Sequence, residues 1–304
     1  MSFEKEGGPG LAVVIGEQAV DTAALGSDAP ATMEALLAAD DATMSRLAAA
    51  AAAAPATARR PRDEFRPAMP IARPGKILCM GLNYAEHAKE GGNAVPAYPA
   101  LFMRTQTSML AAGAPVVRPN CSEQLDYEAE LMVIVGRTAR HVAAEHALDH
   151  VFGYTLFNDV SVRDYQRRGA QWTPGKNFDA TGPVGPVVVT PDELPPGAAG
   201  LRIQSRLNGQ VMQDGTTADM LFPVARMIEI LSEFTTLEPG DMIATGTPAG
   251  VGHARRPPVW MRPGDVVEIE IEGIGVLRNP IVDETAATAT RAASVDGGRH
   301  HAAT

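Results

Sequence analysis

The pattern of apolar and polar positions predicts a chain with many short strands and few helices. Along residues 125–135 an acidic start is followed by a run that is apolar on both faces, which indicates a strand buried on both sides. Residues 267–272 instead alternate between apolar and acidic side chains, so we expect these acids to face solvent and not to bind a metal. Further strands are predicted at residues 77–81, 99–104, 115–118, 151–159, 184–190, 202–207 and 211–214.

Three segments have helical character. Residues 31–54 are rich in alanine, residues 84–90 precede a glycine pair, and residues 218–234 show the one clear amphipathic pattern of the second half. The apolar stripe of this last helix consists of Leu221, Val224, Ala225, Ile228 and Leu231. Asn208 and Gly209 predict a two-residue hairpin turn. Together these elements favour a mixed, β-rich α+β fold, a mixed β-roll or sandwich, over a doubly wound α/β sheet.

We expect the chain to have three parts. Residues 1–70 are predicted to form a small N-terminal domain and linker, with a hairpin at residues 10–26 and a link that begins at the Pro/Arg-rich residues 55–62. Residues 71–284 are predicted to form the main β-rich domain. Residues 285–304 are rich in Ala, Thr, Gly and His and are expected to be disordered.

Composition and charge exclude some classes of partner. The net charge is −10, and no run of Lys or Arg indicates a surface for nucleic acid or an anionic membrane, although a few local cations could still bind a small anion. The first residues do not resemble a signal peptide, and the alanine run at 48–54 is too short to span a bilayer. Cys79 and Cys121 form neither a disulfide framework nor a CxxC pair, so a cytoplasmic location is expected.

The acidic start of residues 125–135 predicts a metal site. Glu128 and Glu130 are two apart on a strand and therefore point the same way, where two like charges repel unless a cation lies between them. Asp159 ends another apolar strand, and with it three oxygen ligands would suit Mg²⁺ or Mn²⁺ better than Zn²⁺. Two alternatives stay open: the glutamates could form a solvated strand end, and Asp159 could be a turn residue.

Two further segments contain candidate catalytic side chains. His87 and Glu90 are three apart and share one helix face, so Glu90 could orient the imidazole as a base that activates water. An incidental surface pair is the alternative, and the glycines that follow would suit a mobile lid. Lys176 lies in a turn bounded by Gly and Pro, where its ammonium could bind a carboxylate or an enolate oxygen, or be a solvated charge.

A glycine-rich loop, TGTPAGVG at residues 245–252, follows a predicted strand. Its main-chain N–H groups and threonine hydroxyls could bind an anion. The loop matches neither nucleotide-binding glycine motif, and the chain has no GxSxG or Cys–His signature. The first absence excludes a nucleotide-binding loop, and the second weakens the hypothesis of a serine or cysteine hydrolase.

Taken together and in this order, the motifs resemble the fumarylacetoacetate hydrolase superfamily. The resemblance covers roughly residues 70–284 and depends on GLNYAEHAKE at 81–90, DYEAEL at 126–131, the strand that ends in Asn-Asp, GKNFD at 175–179 and TGTPAGVG. It implies a mixed β-roll, usually a homodimer, in which many members carry an extra small N-terminal domain.

The resemblance also implies roles for individual residues. It places Mg²⁺ or Mn²⁺ at Glu128, Glu130 and Asp159, a water-activating pair at His87 and Glu90, and substrate contacts at Lys176. Further substrate contacts are implied at Thr247, Gln166, Arg167 and Arg104. Arg104 stands where many relatives have lysine, which puts the distal substrate contacts in doubt and not the metal chemistry.

The reaction expected from these roles is hydrolytic cleavage of a C–C bond in an acylpyruvate or similar β-diketo acid, in the breakdown of aromatic compounds. Decarboxylation of an oxaloacetate-like acid and keto–enol isomerisation of a ring-cleavage product would use the same site, and so would dehydration of a sugar acid. A non-catalytic metal-binding scaffold is an alternative of another class. The His87–Glu90 pair, together with the carboxylate triad, argues against it.

Overall fold

A computed structural model of the protein describes residues 1–285. The predicted disordered tail lies outside the described residues, except for its first residue, Thr285. Among the described residues, no helix is both long enough and apolar enough to cross a membrane.

The N-terminal residues form a four-stranded sheet with two helices beside it. Its strands are β1 (Ser2–Lys5), β2 (Gly8–Ile15), β3 (Gln18–Asp21) and β4 (Arg60–Pro61), and its helices are α1 (Met33–Leu37) and α2 (Asp41–Ala52). Strands β2 and β3 form the predicted hairpin. Because β4 pairs with β3, residues 60–61 belong to this sheet, and the expectation that the whole Pro/Arg-rich stretch is a link is corrected. The division of the chain at residue 70 stays a prediction.

The remaining strands form a seven-stranded mixed sheet, a five-stranded sheet and a two-stranded pair. They are β5 (Ile77–Gly81), β6 (Ala100–Met103), β7 (Met109–Ala111), β8 (Val116–Arg118), β9 (Leu125–Asp126), β10 (Ala129–Val135), β11 (Val151–Asn158), β12 (Ser161–Val162), β13 (Gly182–Val189), β14 (Arg202–Leu207), β15 (Gln210–Thr216), β16 (Met242–Ala244), β17 (Val266–Ile271) and β18 (Gly275–Asp283). The large sheet has the order β6-β5-β16-β10-β11-β13-β7, and the second has the order β15-β14-β17-β18-β8.

The helices of this part are short. They are α3 (Ala85–Glu90), α4 (Ala144–Ala147), α5 (Arg163–Gln166), α6 (Thr173–Lys176) and α7 (Val224–Phe234). Single 3₁₀ turns lie at Thr22–Ala24, Ala56–Ala58, Arg62–Glu64, Gln106–Ser108, Leu148–His150, Pro191–Glu193, Pro196–Ala198, Thr217–Asp219 and Gly252–Ala254. Strands account for 34% and helices for 26% of the structure, and the sheets are strongly curled, which confirms the predicted β-rich mixed fold.

The structure corrects the predicted amphipathic helix at residues 218–234. Helix α7 begins at Val224, directly after Pro223 in an extended conformation, so Leu221 lies outside the helix and its stripe. A proline is tolerated at a helix start but not in its interior, which explains why the helix does not extend further back. The two-residue hairpin turn is confirmed, since Leu207 pairs with Gln210 across it.

The core lies between the curled sheets and contains the central strand of the large sheet. All residues of β10 are buried, as the doubly apolar pattern predicts. Strand β17 alternates as predicted: Val267, Ile269 and Ile271 are buried, and Glu268 and Glu270 reach Arg206 at the partly exposed surface. The acids of β17 therefore belong to a surface ion-pair network and lie apart from the site described next.

Candidate active site

The three acidic residues that the sequence singles out lie together where strands β10 and β11 meet. The predicted strand 125–135 is interrupted at residues 127–128, so Glu128 directly precedes β10, and Asp159 directly follows the antiparallel β11. The main-chain N–H of Asp159 donates to the carbonyl of Glu128 at 2.9 Å, and the side chain of Asn158 accepts the N–H of Glu128 at 2.9 Å. These bonds hold Glu128 and Asp159 side by side. One carboxylate oxygen from each of Glu128, Glu130 and Asp159 lies within 4.8 Å of the others.

Lys176 lies against two of these carboxylates. Its Nζ is 2.6 Å from Oε2 of Glu128 and 2.5 Å from Oδ2 of Asp159. The side chain is 2% exposed and comes from the last residue of the short helix α6, where the sequence predicts an open turn. Burial alone would lower the pKa of Lys176, but the two carboxylates more than compensate and raise it. Lys176 is therefore a fixed positive charge beside the triad.

Arg104 lies on the outer side of Asp159. Its Nη1 is 2.5 Å from Oδ1 of Asp159, its Nη2 donates to Thr181 Oγ1 at 2.8 Å, and its Nε donates to Ser108 Oγ at 3.2 Å. The side chain is fully buried and does not line the cavity. This placement corrects the expectation that Arg104 contacts substrate, because all three nitrogens of the guanidinium are already bound to protein groups. Arg104 instead orients Asp159 and compensates its charge.

Buried negative charge exceeds buried positive charge in this cluster. Four buried carboxylates meet three buried cations: Asp126, Glu128, Glu130 and Asp159 on one side, and Arg104, Arg163 and Lys176 on the other. Burial raises the pKa of Glu130 well above its usual range, and the charges of Asp159 and Glu128 raise it further. Burial also disfavours the ionised form of Glu128, but Lys176 and Arg163 outweigh this and lower its pKa.

This donor set fits a hard divalent cation. Three converging carboxylates are the oxygen ligands that Mg²⁺ and Mn²⁺ prefer. A cation at the triad would relieve the repulsion that raises the pKa of Glu130. Within residues 1–285 this is also the one group of three or more His, Cys, Asp or Glu residues with ligand atoms close enough to share an ion.

His87 and Glu90 form an imidazole–carboxylate pair on helix α3. His87 Nδ1 lies 2.9 Å from Oε1 of Glu90, and Oε2 of Glu90 accepts the main-chain N–H of Gly250 at 2.9 Å. Because a carboxylate can only accept, Nδ1 carries the proton, and Nε2 is the basic nitrogen of the neutral ring. His87 lines the same cavity as the triad, so Nε2 is the ring atom that can take up a proton there.

The glycine-rich loop at 245–252 binds the acidic residues of the protein itself. The N–H of Gly246 donates to Oε2 of Glu130 at 2.9 Å, and the N–H of Gly250 donates to Glu90 as described above. Gly246 has a φ of +91°, and a Cβ there would lie 2.8 Å from Asn83 Cβ, so glycine is required. Thr247 lines the cavity, and its hydroxyl accepts a hydrogen bond from Gln213 at 2.7 Å.

A cavity of about 180 Å³ joins these groups. The predicted residues that line it are His87, Glu128, Glu130, Asp159, Gln166, Arg167, Lys176 and Thr247. Glu90 reaches the cavity only through His87. The remaining lining residues are Met80, Gly81, Leu82, Gly91, Asn93, Phe102, Arg163, Trp172, Gly246 and His253.

Sequence reasoning missed Arg163, His253 and Asp126. Asp126 is fully buried, and its Oδ2 accepts from Arg163 Nε at 2.8 Å and lies 3.3 Å from Nδ1 of His253. Arg163 Nη2 lies 2.6 Å from Glu128 Oε1. One signal was available, because an arginine directly after the strand-like residues Val160-Ser161-Val162 is unusual unless it is paired.

A family model and the known relatives of the chain agree on one protein family. The family model described as fumarylacetoacetate (FAA) hydrolase C-terminal matches residues 76–282. The human mitochondrial oxaloacetate tautomerase FAHD2A is 43% identical over 224 residues, which is 73% of this chain and 71% of the human protein.

Solved structures agree with this match. The fumarylacetoacetate hydrolase from Exiguobacterium antarcticum is 36% identical, with a TM-score of 0.78 over 93% of this chain and 98% of that one. The 2-hydroxyhepta-2,4-diene-1,7-dioate isomerase from Mycobacterium marinum is 32% identical, with a TM-score of 0.71 over 93% of this chain and 97% of that one.

Proposed function

Since this chain belongs to the fumarylacetoacetate hydrolase family, we propose that it is a divalent-metal-dependent enzyme that interconverts the keto and enol forms of a small 2-oxo acid of the oxaloacetate type. The observation that carries the proposal is the shared cavity, which is lined by a carboxylate triad, a buried lysine and the imidazole of an imidazole–carboxylate pair. The names of the human relative and of the mycobacterial isomerase both denote isomerisations of dicarboxylic acids.

Tautomerisation moves one proton between C3 and the oxygen on C2 of a 2-oxo acid. A divalent ion at Glu128, Glu130 and Asp159 would supply a Lewis acid that stabilises negative charge on the 2-oxygen. His87 Nε2 removes the proton from C3, and Glu90 stabilises the imidazolium that results. Lys176 adds a positive charge beside the developing enolate oxygen. Return of the proton from His87 to that oxygen completes the enol, with no other bond broken.

The size of the cavity supports a small substrate. Its volume of about 180 Å³ lies below the range of roughly 300–1,000 Å³ that is usual for drug-sized ligands. Met80, Phe102 and Trp172 are among its apolar lining residues. A four-carbon 2-oxo acid suits this space better than a long ring-cleavage product does.

Hydrolysis of an acylpyruvate, the reaction first expected from the sequence, is the second candidate. The His87–Glu90 pair favours it, because the same base could take a proton from water instead of from C3. Both reactions produce an enolate at the same position, so Lys176 and the triad would act alike in each. What separates them is whether a water molecule is activated beside the bound substrate.

A paired assay distinguishes these reactions. Purified protein stripped with EDTA is given the enol form of oxaloacetate or acetylpyruvate, with and without added Mg²⁺ or Mn²⁺. Metal-restored loss of enol absorbance from oxaloacetate, without pyruvate formation, supports tautomerisation. Acetate and pyruvate from acetylpyruvate would support hydrolysis, and pyruvate from oxaloacetate would support decarboxylation.

A further inference from the structure

A second imidazole–carboxylate pair, Asp126 and His253, borders the cavity that His87 and Glu90 line. Asp126 is fully buried, and its Oδ2 lies 3.3 Å from Nδ1 of His253 and accepts the main-chain N–H of the same residue at 3.0 Å. The side chain of His253 is 13% exposed and lines the cavity. Neither the metal triad nor the proton transfer proposed above uses this pair.

The loop that contains His253 is held tightly against Asp126. The N–H of Gly252 donates to Oδ1 of Asp126 at 2.7 Å. A Cβ at Gly252 would lie 2.6 Å from that oxygen and 2.0 Å from the carbonyl oxygen of Val259, so only glycine allows this approach. The imidazole of His253 is thus placed by rigid backbone contacts, as a specificity determinant requires.

Asp126 also determines which ring nitrogen of His253 is left without a protein partner. Asp126 accepts from Arg163 Nε at 2.8 Å and from the main-chain N–H groups of Gly252 and His253. A carboxylate can only accept, so Nδ1 of His253 carries a proton and points toward Asp126. Nε2 lies on the opposite edge of the ring, and within residues 1–285 no protein group forms a hydrogen bond with it.

All three guanidinium nitrogens of Arg163 already contact protein groups, so Arg163 is not free to bind an anionic ligand. Its Nε binds Asp126, its Nη1 donates to Oε1 of Gln166 at 3.0 Å, and its Nη2 pairs with Glu128. Arg167, by contrast, forms no ion pair with any carboxylate among the described residues, and it lines the cavity at an exposed position. His253 and Arg167 are therefore the cavity groups left to receive an anionic part of a ligand.

We propose that His253 binds the carboxylate of the substrate distal to its 2-oxo acid end, with Arg167 on the solvent side. This inference rests on the proposed function, in which the triad and Lys176 receive the 2-oxo acid end. Between Asp126 and the distal carboxylate, the imidazole of His253 donates from Nδ1 to the first and from Nε2 to the second. The substrate class is therefore a 2-oxo dicarboxylate and not a neutral-ended acylpyruvate.

Two compounds of nearly the same shape test this assignment. Oxaloacetate and acetylpyruvate differ at C4, where one has a carboxylate and the other an acetyl group. His253→Leu should raise the KM for oxaloacetate at least about tenfold, the size of one lost charge-assisted hydrogen bond, and leave kcat within about threefold. The KM for acetylpyruvate, or its inhibition constant if it is not turned over, should be the same in the variant as in wild type.

Matched variants and a second ligand complete the experiment. His253→Gln keeps a neutral donor and should raise the KM for oxaloacetate less than His253→Leu does. His146→Leu, at an exposed histidine outside the cavity, should change nothing. Inhibition by oxalate, which spans only the 2-oxo acid end, should be the same in wild type and in both His253 variants.

The outcomes separate failure of this inference from failure of the proposed function. Suppose that the wild type turns over oxaloacetate. If His253→Leu then weakens the binding of oxaloacetate and of acetylpyruvate equally, or changes the binding of neither compound, the distal-carboxylate assignment is overturned. If the wild type turns over neither compound, the proposed function fails. Calorimetry with malate and oxalate in the presence of Mg²⁺ then tests the subsite alone. The assignment requires that His253→Leu lowers the affinity for malate about tenfold and leaves the affinity for oxalate unchanged.

Discussion

The ammonium nitrogen of Lys176 lies 2.5 Å from Oδ2 of Asp159 and 3.3 Å from the main-chain oxygen of the same residue. It also lies 2.6 Å from Oε2 of Glu128. Lys176 therefore contacts two of the three carboxylates that could bind a divalent ion. A metal at the triad and the lysine draw on the same two carboxylates, and this competition connects metal affinity with catalysis.

Substitution of Lys176 by Met should separate those two properties. Because the competing ammonium is removed, we expect Lys176→Met to bind Mg²⁺ or Mn²⁺ about tenfold or more tightly than wild type, the size of a charge-assisted hydrogen bond that no longer has to be shared. Turnover should fall at least about 100-fold, since the charge beside the enolate oxygen is lost. Calorimetry and a turnover assay measure the two effects. Lys89→Met, at an exposed lysine paired with Glu86, is the control and should change neither.

Glu130 and Glu128 should respond oppositely to the same substitution in metal-free protein. Burial and like charge raise the pKa of Glu130, so its charged form costs stability, which Glu130→Gln should restore by about 1 kcal/mol near neutral pH. Glu128→Gln breaks buried contacts to Lys176 and Arg163 and should cost about 3–5 kcal/mol. Denaturant unfolding in EDTA measures both values, and equal destabilisation by the two variants would contradict this account.

The raised pKa of Glu130 also determines how the stability of the metal-free protein changes with pH. A carboxyl group whose folded pKa lies above its unfolded value contributes stability below the unfolded value, about 4.5, and that contribution is lost as pH rises through the folded pKa. Metal-free wild type should therefore lose stability as pH rises above about 4.5, and Glu130→Gln should lose less. Metal binding must expel the proton from Glu130, so Mg²⁺ affinity should increase with pH over the same window.

His87 should be required for proton transfer and not for metal binding. We expect His87→Asn to lower turnover by about 10²–10⁴, the usual contribution of a positioned general base, with the metal dissociation constant within about threefold of wild type. Glu90→Gln should have a smaller effect, because the imidazole stays but loses its carboxylate partner. A pH–rate profile together with metal titration checks this, and wild-type turnover by His87→Asn would remove His87 from the mechanism.

Gly81 and Trp172 should behave as a coupled pair. A Cβ at Gly81 would lie 2.1 Å from the indole ring of Trp172, so Gly81→Ala must displace the ring and should cost about 1–3 kcal/mol of stability. Combining Gly81→Ala with Trp172→Ala should recover much of that loss. A double-mutant cycle of unfolding free energies measures the coupling, and purely additive effects would show that the two residues do not meet.

Much of the candidate site could be predicted from local sequence. Glu128 and Glu130 are two residues apart, His87 and Glu90 are three apart, and each spacing determines a shared face by the geometry of one strand or one helix. Asp159 joins them because β11 pairs with β10 and places its end beside Glu128. The β-rich class likewise followed from many short apolar segments.

Other features depend on contacts between distant parts of the chain. Asp126 contacts Arg163, 37 residues away in the sequence, and His253, 127 residues away. No local sequence pattern predicts which residues Asp126 pairs with. The family resemblance implies a substrate contact at Arg104, and its position in the chain does not show that its guanidinium binds Asp159, Thr181 and Ser108 instead. The start of α7 was misplaced by counting apolar positions through Pro223. The homodimer remains a prediction.

The most direct test of the central claim is the simultaneous measurement of Mn²⁺ occupancy and enol-to-keto conversion of oxaloacetate by the wild-type protein. Starting from EDTA-treated protein, we expect the rate to increase in proportion to bound Mn²⁺ and to level off at one ion per chain. Glu130→Gln should need far more Mn²⁺ to reach the same occupancy. Full activity in EDTA, or a rate unchanged by Mn²⁺ bound at the triad, would contradict the assignment of this cavity as a metal-dependent active site.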